Sequence, residues 1–136
     1  MKKQEDLLRA AFLVGAVTDA LALLPMIVPP LARILWGFEE FPGPYAFAMG
    51  YGASLMFGWT LLLIWAYQKP LERKFVAALT VVVIYGLVLT EILAVLKGHI
   101  AVSRILPTWF LQIILLGLFS GGFHYVKLRQ WLQRLS

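Results

Sequence analysis

Of the seven acidic residues in this 136-residue chain, two stand inside apolar runs: Asp19 in VTDALALL and Glu91 in VLTEILAV. A carboxyl group near the centre of a bilayer costs roughly 2.5–3.5 kcal/mol on insertion scales, so its retention calls for a use. Each acid follows a threonine, Thr18 or Thr90, whose hydroxyl either assists the acid or bonds back to its own helix. If both acids face one interior, their carboxyls cannot both ionise cheaply there. Such a pair suits a proton, a cation or a hydrogen-bonded polar ligand. Gln112 adds an amide within the fourth apolar run, and Trp59 and Tyr85 lie deep enough in theirs to line a pocket. The candidate ligand-binding set is therefore Asp19, Glu91, Thr18, Thr90, Trp59, Tyr85 and Gln112. The competing use of the acids is purely structural: interhelical tethers to Thr, Tyr, Gln112 or Ser120.

The two acidic runs also resemble each other. TDALALL (18–24) aligns with TEILAVL (90–96), and Arg33-Ile34-Leu35 recurs as Arg104-Ile105-Leu106, one residue out of step. Both runs cross in the same direction, so the match suggests a tandem helix-hairpin repeat about an axis along the membrane normal.

The elements that must position these residues are membrane spans. Hydrophobic residues make up 61% of the chain and charged residues only 14%, too few to cover a soluble surface. Apolar segments fall at about 7–28, 45–67, 75–96 and 105–126, each near the 20 or so residues that cross a hydrocarbon core. In lipid every backbone group must be satisfied internally, so each is a helix. The expected fold is an all-α polytopic membrane protein, one four-helix transmembrane domain over residues 1–136. Ala20-Leu21-Ala22 has the form of a signal-peptidase site, but apolar sequence continues through Val28 and Asp19 interrupts the approach. The run is read as a retained span.

Lys2, Lys3, Arg9, Lys69, Arg73, Lys74, Lys127, Arg129 and Arg134 lie on one side of these spans, and Arg33, Lys97 and Arg104 on the other. The positive-inside rule places the first group, with both termini, in the cytoplasm of an inner, multi-pass membrane protein. The first outer loop, PPLARILWGFEEFPGPY, holds Leu31, Ile34, Leu35 and Phe38 at helical spacing and predicts a short interfacial helix. Arg33 and Arg104 are placed to meet lipid headgroups or the loop acids Glu39 and Glu40. Trp65, Tyr67, Trp109, Tyr125 and Trp131 read as interfacial anchors. Ala46, Gly50, Ser54 and Gly58, each four residues apart, predict a helix-packing seam, with Gly117 and Gly121 as a second one. The partner of the first seam is either another span of this chain or a second copy, which leaves a homo-oligomer open.

Several function classes are excluded. The chain has no cysteine, which removes disulfides and thiolate metal sites, and its two histidines, His99 and His124, cannot pair across a haem. The net charge of +5 is spread over short segments, so no nucleic-acid surface is expected. There is no nucleophile elbow, phosphate loop or zinc motif, and no cofactor or metal is expected. The first expectation is an integral membrane protein that binds a small lipophilic or cationic molecule, or a lipid, beside its acids. The alternatives are a proton- or cation-coupled transport component acting as an oligomer, and a structural or accessory membrane subunit.

The segment GWTLLLIWAYQKPLERK (58–74) resembles a family of small, uncharacterised four-span membrane proteins of bacteria and archaea. The resemblance implies a prokaryotic cytoplasmic membrane and the same four-span layout. It brings no activity, cofactor or site residue.

Overall fold

A computed structural model of the chain describes residues 1–135, apart from the side chains at 128, 129, 131, 132 and 135. The basic Arg129 and the anchor Trp131 thus have side chains outside the described residues. Five helices follow in order: α1 (Lys2–Ile27), α2 (Pro29–Trp36), α3 (Gly43–Gln68), α4 (Phe75–Leu96) and α5 (Val102–Leu135). Four of them, α1, α3, α4 and the Val102–Lys127 part of α5, are long and apolar enough to cross a membrane. No strand occurs among the described residues.

The helix ends follow from local chemistry. Val28 is extended, φ −117°, because the proline after it disfavours the helical region. The double proline then opens α2, where a missing N–H costs nothing. Gly37 closes α2 in the left-handed conformation, φ 78°, which glycine adopts without a Cβ penalty. The expected interfacial helix is therefore present, eight residues long. Pro44 lies in the first turn of α3, and Gly98, φ 72°, follows the last turn of α4.

α1 is the organising helix. It packs along α3 and along α5, and α5 in turn packs on α4; α3 and α4 touch only weakly. The chain thus forms two antiparallel hairpins, α1–α3 and α4–α5, joined through α1 and α5. Their union is not two-fold symmetric, since the α1–α5 contact has no equally close α3–α4 counterpart.

The dense core sits in the half nearer the termini. Leu8, Ala11, Phe12 and Ala16 of α1 meet Leu63 and Ala66 of α3, Val76, Ala77 and Ile84 of α4, and Leu115 and Phe119 of α5. Glycines set the closest approaches. A Cβ on Gly15 would lie 2.8 Å from Phe119 Cζ, and one on Gly122 would lie 2.7 Å from Leu8 Cδ2. Gln4, also buried, donates to the Gly122 carbonyl at 3.1 Å and ties α1 to α5 near the termini.

The small-residue stripe of α3 takes no part in this packing. Ala46, Gly50, Ser54 and Gly58 are all exposed, and a Cβ on Gly50 or Gly58 would meet nothing within 4 Å. Residues four apart on a helix of 3.6 residues per turn drift by about 40° per step, so this stripe spirals off any single face. The inward face of α3 instead runs through Gly52, Ala53, Thr60, Leu63 and Ala66, with Met26 of α1 lying over Gly52. On α5, Gly117 is likewise open, and a Cβ on Gly121 would meet Leu7 Cδ2 at an ordinary 3.6 Å.

Candidate functional site

Both intramembrane acids lie on the inward stripes of their helices. On α1 the stripe runs Gln4, Leu8, Phe12, Gly15 and on to Asp19; on α4 it runs Thr80, Ile84, Val88 and on to Glu91. Each acid sits just past the dense core, where the helices loosen toward the α2 end. Their surroundings differ.

Glu91 faces α5. Its Oε1 accepts a hydrogen bond from Gln112 Nε2 at 2.9 Å. The Trp109 indole N–H approaches the same carboxyl without reaching hydrogen-bond geometry. Trp109 and Gln112 are three residues apart and so share one face of α5. Gln112 is only 5% exposed. Three polar atoms of this cluster, Glu91 Oε2, Gln112 Oε1 and Trp109 Nε1, are buried and make no hydrogen bond with any described residue. Such atoms are rare in folded proteins, because an unpaired buried polar group costs about 1–3 kcal/mol. Here they converge: an indole donor, an amide acceptor, and a carboxyl oxygen that accepts when ionised and donates when protonated. A hydroxyl, amine or amide entering between α4 and α5 would find both a donor and an acceptor.

Asp19 is half-buried and makes no hydrogen bond or ion pair among the described residues. It does not join the Glu91 cluster. The packing order fits this: α1 and α4 touch only weakly, and each packs instead along α5.

The other candidates separate into distinct roles. Trp59 Nε1 donates to Thr80 Oγ1 at 3.3 Å, and the Thr80 hydroxyl donates to the Val76 carbonyl at 2.7 Å. That chain holds α3 to α4 within the core, so the polar edge of Trp59 is engaged in tethering. Thr90 is exposed and donates back to the Gly86 carbonyl of its own helix at 2.9 Å. Thr18 is half-buried beside Asp19, and Tyr85 faces outward, 62% exposed. The cluster member that sequence reasoning assigned elsewhere is Trp109, read as an interfacial anchor. Its spacing of three from Gln112 was the available signal.

At the α2 end the chain is more polar. Arg104 Nη1 donates to the Ile34 carbonyl at 2.6 Å, and Arg33 Nη2 donates to the Glu39 carbonyl at 3.3 Å. Aromatic contacts run from Trp36 to Phe38 and from Phe38 and Phe41 to Tyr45, knitting the loop to the start of α3. No group of three or more metal-ligating side chains occurs among the described residues. Compared with known proteins, the chain matches no family model, no curated sequence and no solved structure.

Proposed function

We propose that the protein binds a small lipophilic molecule, or a lipid, through a polar group held in the Glu91–Gln112–Trp109 cluster. The observation that carries this reading is the set of three unpartnered buried polar atoms on facing sides of α4 and α5. Between membrane helices such groups normally find one another. The ligand class follows from the donor and acceptor set: an apolar body bearing a hydroxyl, an amine or an amide. In this reading Asp19 supplies a second, separate polar contact. Both termini lie in the cytoplasm in this reading, on the strength of the basic-residue distribution.

Native mass spectrometry of the protein released from its own membrane tests the reading. Wild type is expected to carry a co-purifying lipophilic molecule that Glu91→Leu/Gln112→Leu loses while keeping its helical content. Equal retention by the double variant refutes it.

A second reading, a proton- or cation-coupled transport component assembled from several copies, draws on the partnerless carboxyl of Asp19 and the unused stripe of α3. It predicts flux into proteoliposomes that Asp19→Asn abolishes.

A further inference from the structure

We propose that the α2 end of the protein holds the phosphate of an anionic lipid headgroup between Arg33 and Arg104. This site is separate from the intramembrane cluster and goes beyond it. The two arginines are 71 positions apart in sequence, yet they line one cavity of about 420 Å³ with Gly37 and Glu39.

Both guanidinium groups are held in place. Arg104 bonds the Ile34 carbonyl in the last turn of α2, where helix carbonyls lack their own partners. Its side chain lies across Gly37, where a Cβ would come within 2.9 Å of Arg104 Nε. Glycine is therefore needed there twice, for the left-handed backbone and for the arginine above it. Arg33 bonds the Glu39 carbonyl and lies over the Phe41 ring at 5.9 Å. Neither arginine makes an ion pair with a carboxylate among the described residues. Each keeps further N–H donors for a ligand, and a guanidinium fork matches phosphate oxygens in pairs. Glu39 is the one opposing charge in the lining, so the cavity walls carry two positive groups and one negative.

The surroundings favour a lipid as the source of the phosphate. Ile34, Leu35 and Leu106 are 68%, 51% and 53% exposed beside the arginines, apolar surface that suits acyl chains rather than water. A phosphate at the arginines and its chains along α2 and α5 would cover both features.

The test uses the full-length protein in nanodiscs made from phosphatidylglycerol and phosphatidylcholine, with the retained lipids counted by native mass spectrometry. Wild type should be enriched in phosphatidylglycerol, and Arg33→Gln and Arg104→Gln should each lower that enrichment roughly fivefold. Glu39→Gln removes the opposing charge and should raise it. Because Arg104 also braces α2, Glu39→Gln decides the matter if the arginine variants fail to fold. Unchanged enrichment in Glu39→Gln, or in the folded arginine variants, overturns the proposal. So does inorganic phosphate that stabilises the detergent-solubilised protein as well as short-chain phosphatidylglycerol does, which would mark a site for a soluble anion. Glu91→Leu/Gln112→Leu should leave the enrichment intact, so failure here and failure of the intramembrane reading are told apart.

Discussion

Gln112 donates one N–H to Glu91 and keeps its own carbonyl oxygen unpaired in an apolar setting. That asymmetry has consequences for stability. Gln112→Leu strands the Glu91 carboxyl without a donor, and is expected to cost about 1–3 kcal/mol in reversible unfolding from mixed micelles. Removing both partners, in Glu91→Leu/Gln112→Leu, is expected to recover most of that loss, because neither member of the pair is then left buried without the other. Trp109→Phe should behave differently. Its N–H has no partner among the described residues, so relief of an unpaired donor opposes the packing lost with the smaller ring. Stability should fall by less than about 1 kcal/mol while retention of the lipophilic molecule falls. A large stability loss in Trp109→Phe would show that the indole is structural. At this scale the sequence made the individual acids legible, since any carboxyl inside an apolar run stands out. It also marked Gln112 as polar. Both α1 and α4 pack along α5, so which of the two acids meets that amide depends on the side of α5 that carries it, and no residue type encodes that locally.

The helices themselves were legible in detail. The third span was expected over 75–96 and α4 occupies Phe75–Leu96; the outer-loop helix ends where Gly37 stands. Proline and glycine act on the backbone next to them, so their effect is readable without knowing the fold. Helix faces are another matter. The α3 stripe of small residues looked like a seam, yet α3 turns Gly52 and Ala53 inward and leaves Gly50 and Gly58 open. This predicts opposite responses to the same substitution. Gly58→Ala should leave the protein as stable or up to about 1 kcal/mol more stable, through helix propensity alone. Gly15→Ala should destabilise by about 1–3 kcal/mol, because its Cβ meets the buried Phe119 ring. Thermal unfolding of the two variants in one detergent checks the contrast. Should Gly58→Ala lower stability at raised protein concentration only, the open stripe is an interface between copies.

For the molecule as a whole, an even number of spans places both termini at one end, and the basic residues argue for the side. The chain has no cysteine, so single cysteines report topology without background. Glu40→Cys should react with a membrane-impermeant maleimide on intact spheroplasts, and Gln68→Cys only after the membrane is opened. The reverse pattern would invert the orientation. The tertiary arrangement also fits the separation of Asp19 and Glu91, so alike in sequence: their helices touch only weakly, and each packs instead along α5. A sequence match relates positions along the chain, whereas proximity depends on the order in which helices pack.

The amino-acid sequence by itself determined that this is a four-span helical membrane protein with an interfacial helix after the first span. Those properties rest on hydrocarbon thickness, backbone satisfaction and proline–glycine punctuation, which act over a few turns of chain. Only the tertiary structure decided that Glu91 belongs with Gln112 and Trp109, that Asp19 stands apart, and that Arg33 and Arg104 share a cavity. These depend on helix rotation and neighbour order, set by the close contacts at Gly15 and Gly122 and by the dense core around Phe12 and Phe119. Such contacts join residues about a hundred positions apart, and no local pattern in the sequence specifies them.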